Sequence, residues 1–412
     1  MGATLTTADS FLKEFYEGDV IHEAVNNGTP LLSRWKSTIK EVGRVGGKSL
    51  TLRFPVMTSR NQAIGARSEG GTLPTASNIG GVQMTSAMKY NYGRIQLTGQ
   101  LIKASKVSEV AFVEGLDQEI DGMVQGMTVD FARQIHGDGS GFLGQANGTF
   151  NNTVTVTVDG PDVRWFEVGM RVDDFTAKTA GSAGNLSNNS ISDIDPDNNT
   201  LTFGMAITIN DNNYLFRTGS RGLEMVGLLA HIDDGTNAAT IQGVTRATAG
   251  NNYSKARLVN AGAANLTESW LQQAMQTSYT GIYSGGKGAT VALCDPQSMR
   301  YVAKLLITKE RFVDSKKFAG GYSMLTYQVG GKAVEFLEDR MAYPTYIQFI
   351  NEDAFELAYA ADAKFRWMDE DGAILQRVIG QDAYEATMYC YSNVVCHNYG
   401  SQVRLYNYAA PA

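Results

Sequence analysis

The chain has 412 residues, 43% of them hydrophobic and 19% charged, with a formal net charge of −7 at pH 7. That length allows two or three domains with proper cores, and the acidic balance does not suit a protein that wraps nucleic acid by neutralising phosphates. Its three cysteines, Cys294, Cys390 and Cys396, exclude a disulfide framework and fit a reducing site of synthesis.

No basic region followed by an apolar stretch opens the sequence, so no signal peptide is expected. No apolar run approaches the roughly 20 residues that a membrane span needs, so a membrane partner is not expected either. The charged fraction lies below the roughly 25% of ordinary soluble proteins. Sparse charge with abundant Tyr, Asn, Gly and Thr suits a chain that hides much of its surface against copies of itself.

Residues 1–45 read as an arm without a core of its own. It holds a short helical pattern (Phe11, Leu12, Phe15, Tyr16) and a second short element from Leu31 to Val42. Ser49 to Met57 (SLTLRFPVM) then alternates Leu50, Leu52, Phe54 and Val56 against polar positions, and Val82 to Thr98 alternates through Met84, Met88, Tyr90 and Tyr92. Both are predicted strands. Roughly 25 residues join them, rich in glycine and poor in large apolar groups, and a hairpin of this kind is marginal alone. The sequence around it offers no surface to lie on, so a neighbouring subunit is expected to supply one.

A long helix follows, capped by Ser105 or Ser108 and striped by Val110, Val113, Leu116, Ile120, Met123, Val124, Met127, Phe131 and Ile135. Gly137 and Gly139 end it. Gly115, Gly122 and Gly126 inside it each cost up to ~1 kcal/mol against Ala, which implies that another backbone comes close. From 151 to 218 the texture changes to short strands (TVTVTV, MRVDDF, SISDI, TLTFGMAI, YLFR) separated by Gly and Asn clusters, which predicts an inserted β-sandwich or barrel. Beyond it the spacing predicts helices from Thr267 to Tyr283 and after Asp295-Pro296. Strands are predicted at Ala289 to Leu293, Tyr327 to Phe336 and Tyr346 to Ile350, and long closing strands from Ala383 to Tyr408. This is an α+β mixture without a βαβ repeat.

Catalytic patterns are weak. Gly139 to Gly144 spells G-x-G-x-x-G, but a helix precedes it and β-texture follows, the reverse of a dinucleotide site; a helix stop and flexible connector fits better. Gly281 to Gly288 lacks the hydroxyl that should follow Lys287 in a phosphate loop. Asp193, Asp195 and Asp197 alternate as in a calcium loop, but Asn198 stands where the turn glycine belongs, and an ordinary β-turn is expected. His22, His136, His231 and His397 lack metal-ligand spacing. Asp233-Asp234 reads as a solvated turn before Gly235. No enzyme activity, metal or cofactor is expected.

In its order of parts the chain resembles the major capsid protein of tailed bacteriophages, with the Hong Kong 97-type fold. The resemblance rests on the hairpin-into-helix stretch Lys48 to Gly137, on Trp165 to Asp173 (WFEVGMRVD), on Arg221 to Leu228 (RGLEMVGL) and on the closing Tyr384 to Cys396. It implies an N-terminal arm (1–45), an extended hairpin loop lying across the adjacent subunit (46–100) and a peripheral-domain spine helix with its connector (101–150). It further implies an inserted β-domain on the outer face (151–218), a mainly axial domain (219–375) and closing strands of the peripheral domain (376–412).

The implied function is self-assembly of hexamers and pentamers into an icosahedral shell around double-stranded DNA, held without sequence specificity. The implied partners are further copies, portal and scaffolding proteins and a decoration protein. The implied location is the virion capsid, made in the host cytoplasm. On the hairpin, Arg53, Arg60, Arg67 and Glu69 are the expected intersubunit contacts. Gly70, Gly71, Gly80, Gly81, Gly137 and Gly139 are the expected joints. No local pattern selects a Lys–Asn pair for a crosslink, and none is predicted. Two alternatives stand beside this reading: a bacterial nanocompartment shell of the same fold, and a hydrolase or carbohydrate-binding protein.

Overall fold

The computed structural model describes residues 30–40, 43–45, 49–100, 109–159, 162–307, 316–317, 323–329, 331–361, 363–369 and 372–411. Most of the expected N-terminal arm, and the helix caps proposed at Ser105 and Ser108, lie outside them.

The peripheral sheet is built on one long strand, Ala383–Cys396, which pairs antiparallel with Phe355–Ala360 on one side and with Lys89–Thr98 on the other. Strand Lys36–Lys40 joins Phe355–Ala360 in parallel, and Trp35 stacks on Phe355 at 5.1 Å, so the end of the arm is part of the body. Pleating puts Ile95 and Ala386 on the same face, where the spine helix Glu109–His136 packs its stripe of Ile120, Met127, Phe131 and Ile135. Gly93 makes this possible: a Cβ there would lie 2.6 Å from the Met127 sulfur, so only glycine lets the helix lie this close.

The hairpin forms from Ser49–Ser59 and Gly80–Ala87, with Phe54 opposite Met84 and Val56 opposite Val82. The single expected strand from 82 to 98 is two strands. The Met88 amide donates to the Leu50 carbonyl and closes the ribbon, and from Lys89 onward the chain changes partner and enters the peripheral sheet.

A closed six-stranded barrel follows the helix. Its strands are Phe142–Ala146, Phe150–Asp159, Arg171–Phe175, Asn189–Asp195, Thr200–Ile209 and Tyr214–Arg217. It starts earlier than expected. The stretch after Gly139 is not a flexible connector: Phe142, Leu143 and Ala146 are buried, and Gly144 lets the Val158 side chain pack against the backbone. The barrel core of Val156, Val172, Leu201, Phe203 and Leu215 continues into Trp165, whose indole N–H donates to the Met341 carbonyl at 3.0 Å. The insertion is thereby seated on the body.

The axial region holds a seven-stranded mixed sheet in the order Arg257–Asn260, Val403–Tyr406, Tyr346–Ile350, Val291–Cys294, Lys332–Glu338, Ser323–Val329, Lys316–Lys317. Helices Glu268–Thr280 and Pro296–Ile307 pack on it; Asp295 accepts from the Gln297 amide at 3.2 Å at the start of the second. Two expectations change here. The strand expected from Tyr327 to Phe336 is a hairpin turning at Gly331, which has φ +77°. Phe355–Ala360 belongs to the peripheral sheet. Val403–Tyr406 does not: after the turn at 397–402 it inserts between two axial strands, with Val403 and Leu405 on the apolar face.

Candidate assembly interface

The root of the ribbon is buried and its far end is bare. Leu52, Phe54, Val56 and Met84 belong to the main core, and Phe54 meets the His397 ring edge-on at 4.9 Å. Past Met57 the apolar side chains have no cover among the described residues: Ile64 is 79% exposed and Leu73 81%, with Met57, Ile79 and Val82 also open. Scattered exposed apolar residues are ordinary; five on one narrow projection make it an interaction surface.

Arg60, Arg67 and Glu69 lie on this projection and Arg53 at its root; all four are exposed, and none forms an ion pair among the described residues. Arg67 has a local task that sequence reasoning did not foresee. Its Nε donates to the Thr72 carbonyl at 2.9 Å, and the Gly71 amide donates to the Ser68 carbonyl at 2.9 Å, so the tip is a folded turn. Gly70 sits at φ +70° with open space around it, whereas Gly80 is pressed against Ser59. Gly139, at φ +82°, packs against Val226, and Gly137 faces the Gln134 carbonyl.

The spine helix shows a second open surface. A Cβ at Gly122 or Gly126 would meet nothing within 4 Å, so no backbone among the described residues uses their smallness. Glu119, Asp121 and Gln125 on the same stretch are exposed.

Beneath these surfaces the body is fastened by buried charge. Arg133 makes a two-pronged bond to Glu224, at 2.9 and 2.6 Å, and a 2.8 Å bond to Asp130. Burial works against the Arg133 charge, but Glu224 and Asp130 outweigh it and hold the guanidinium protonated. This ties the end of the helix to the turn that follows the last barrel strand. Lys89 Nζ donates to the Gly222 carbonyl at 2.8 Å beside it.

Asp233 is not the solvated residue expected from its sequence. It is fully buried, accepts the amides of Gly235, Asn237 and Ala238, and takes a 3.0 Å bond from Arg404, with the buried Arg246 guanidinium 3.7 Å away. Burial acts to raise its carboxyl, but these donors and Arg404 hold it below the ordinary range. Only Asp234 is on the surface, where it accepts from Thr236.

His231 lies in the same region, fully buried between the Tyr399 hydroxyl and the Val394 carbonyl, 3.2 Å from each. Burial, helped by Arg246, lowers its pKa to about 3. The folded chain therefore keeps this ring neutral where an unfolded chain protonates it, below about pH 6.5. Stability from this group is intact above pH 6.5 and falls by about 1.4 kcal/mol per pH unit from there down to pH 3. Urea unfolding at pH 7 and pH 5 should show wild type losing about 2 kcal/mol more than His231→Gln; equal losses would contradict the neutral-ring assignment.

The suspected ligand motifs are otherwise engaged. Asp195 accepts from the Asp197 and Asn198 amides at 2.9 and 3.2 Å and from the Asn198 side chain at 2.7 Å, all within its turn. Gly281 to Gly288 forms a short 3-10 turn and loop between a helix and a strand. Among the described residues no cluster of three His, Cys, Asp or Glu has metal-holding geometry, and no helix is long and apolar enough to cross a membrane.

Residues 209–381 match a family model described as SU10 major capsid protein. No curated protein matches the chain in sequence. Among solved structures, the chain is similar to one in the capsid asymmetric unit of cyanophage A-1(L), with 12% identity and a TM-score of 0.53, over 92% of this chain and 93% of that one. Looser likenesses include the capsid of a native GTA particle (10% identity, TM-score 0.45, 93% and 91% covered) and an encapsulin complex from Synechococcus elongatus (9% identity, TM-score 0.40, 93% and 88% covered). The fold is the Hong Kong 97-type α+β fold, and the resemblance to tailed-phage major capsid proteins holds.

Proposed function

We propose that this chain is the major capsid protein of a tailed bacteriophage and assembles as hexamers and pentamers into an icosahedral shell that encloses double-stranded DNA. The observation that carries this reading is the ribbon: a well-packed body extends a two-stranded arm whose apolar tip finds no cover among the described residues. The fold and the capsid-family match over residues 209–381 support the capsid assignment.

In this reading the tip lies on a neighbouring copy. The open glycine face of that neighbour's spine helix, at Gly122 and Gly126, is where an extended backbone fits closely. Glu119 there offers charge opposite to Arg60 and Arg67. Burial of Ile64, Leu73 and Ile79 supplies the attraction, and the charges set register. Gly70 gives the tip its freedom to suit two ring sizes. The barrel faces outward, available to a decoration protein. Portal and scaffolding proteins complete the assembly, DNA is held without sequence specificity, and no catalytic step or cofactor is assigned.

Exposed ion pairs contribute roughly 0 to 1 kcal/mol, so Arg60→Ala should raise the critical assembly concentration by no more than about fivefold. Light scattering against concentration measures this, and a hundredfold rise would mean that charge, not apolar burial, drives the contact. Negative-stain microscopy of the purified full-length chain tests the function itself. Closed particles tens of nanometres across, with nuclease-protected duplex DNA when isolated from infected cells, fit the proposal. A persistent monomer with hydrolytic or sugar-binding activity overturns it.

A further inference from the structure

The peripheral sheet ends on an open strand. Lys89–Thr98 pairs with Ala383–Cys396 along one edge, and among the described residues no strand lies along its other edge from Asn91 to Leu97. In an antiparallel pair, alternate residues turn their N–H and C=O groups away from the partner, so about half of these groups point at the open edge. A bare edge of this length is a template for another strand, and folded chains cover, charge or bend such edges.

A trough runs beside this edge. Gln134 Nε2 donates to Asn91 Oδ1 at 3.0 Å, and Gly93 faces the Met127 and Met123 side chains, so the strand and the spine helix lie side by side in opposite directions. Gly122, Gly126, Asp130 and Gln134 recur at steps of four and share the helix flank next to the edge. Asp130 and Gln134 wall a cleft of about 530 Å³ together with Asn91, Tyr92, Leu223 and Glu224. Further along the flank a Cβ at Gly126 or Gly122 would meet nothing within 4 Å, so the trough stays open. The Lys89 bond to the Gly222 carbonyl closes its near end. Beside the cleft, Asn91 Nδ2 is buried and has no acceptor among the described residues.

We propose that a second copy of this chain adds a strand to this edge, and that the added strand is Arg60–Arg67 of its ribbon. Neighbouring strands sit about 4.8 Å apart, so a strand beside Asn91 to Leu97 lies over the flank where the two glycines leave room. The two limbs of the ribbon tip are unequal. Beyond the last pair, Ser59 with Gly80, the limb from Thr72 to Ile79 carries Pro74, which has no N–H to give a ladder. The limb from Arg60 to Arg67 has no proline, and its exposed Ile64 stands near the middle. At period two, Arg60, Gln62, Ile64 and Ala66 share one face. With that face on the helix, Ile64 fills the glycine gap and Arg60 lies on the same side as Glu119 and Asp130. The small Ala63 and Gly65 then pass beside Tyr92, and an incoming carbonyl takes the Asn91 N–H. Main-chain bonds add affinity, and the alternating side chains set the register. The choice of occupant rests on the capsid reading; the open edge and its trough do not.

Amide hydrogen exchange in the full-length chain, read by mass spectrometry, tests it. The reference is the chain with residues 60–79 replaced by Asn-Gly, whose edge should stay bare. In assembled parent, the edge-facing amides from Asn91 to Leu97 should exchange at least about tenfold more slowly than in the reference, and those of Arg60–Arg67 should be slow as well. Gly126→Leu adds bulk to the trough at a point where a Cβ meets nothing of its own subunit within 4 Å. Its urea midpoint should hold or rise, since leucine is the better helix former. Its critical assembly concentration should rise at least about tenfold. Gly126→Ala should do the same to a lesser degree, and it serves if leucine disturbs the fold.

Shells whose edge amides exchange as fast as those of the reference overturn the added strand and leave the capsid reading standing. Normal assembly of a folded Gly126→Leu chain does the same. Protection of the edge without protection of Arg60–Arg67 overturns the choice of occupant. Small oligomers that protect the edge and fall apart on Gly126→Leu, in a chain that never closes a shell, retain the added strand and reject the capsid. A parent that stays monomeric with fast edge amides overturns both.

Discussion

Replacing residues 60–79 by Asn-Gly should abolish shell assembly and leave the subunit at least as stable as before. Ser59 pairs with Gly80, so a two-residue turn closes the shortened ribbon in register. The removed segment adds nothing to the buried core. Shortening a loop from about twenty residues to two lowers its closure cost by roughly 2 kcal/mol, so urea unfolding should show equal or greater stability. Assembly loses far more. Ile64, Leu73 and Ile79 contribute about 1.5 to 3 kcal/mol each when covered, roughly 5 kcal/mol or more per contact. That is over a thousandfold in each contact's equilibrium constant. Sedimentation should find only unassembled subunits. Normal shell yield from the shortened chain would mean that the ribbon is not the clamp.

Asp233→Ala should be the most damaging single substitution in the body, at about 3 to 5 kcal/mol. It removes the carboxylate from between two buried guanidiniums, those of Arg246 and Arg404, and leaves the amides of Gly235, Asn237 and Ala238 without their acceptor. Breaking one partner of a buried ionic set costs this much because the remaining charge stays out of water. The neighbouring Asp234→Ala is the control: it is on the surface and should cost less than about 1 kcal/mol. Denaturant midpoints of the two variants compare them directly. Equal, small losses would show that Asp233 is not the keystone of this joint.

That contrast marks where sequence reasoning reaches and where it stops. The period-two alternation of Leu50, Leu52, Phe54 and Val56 made the ribbon legible, and five of the six barrel strands were readable from their short alternating runs. The break at Met88 was not, because alternation records which face is buried and not which strand lies alongside. Strand Phe142–Ala146 was hidden by the glycines before it, which look like a linker until Val158 is seen packing on Gly144. Val403–Tyr406 follows the peripheral strand in sequence yet inserts into the axial sheet, a choice made by long-range pairing. Asp233 looked like a turn residue because Arg404, its partner, lies far along the chain. The expectation drawn from the glycines of the spine helix is not met inside the subunit, where Gly122 and Gly126 face open space. No backbone among the described residues comes close to them.

A density map of assembled particles, resolved to side chains around residues 60–79, is the most direct test of whether this ribbon is completed by another copy. Ile64 and Leu73 should be seated against an adjacent subunit, beside its Gly122 and Gly126. Particles in which the ribbon instead doubles back on its own body, or stands free of every neighbour, would contradict the account.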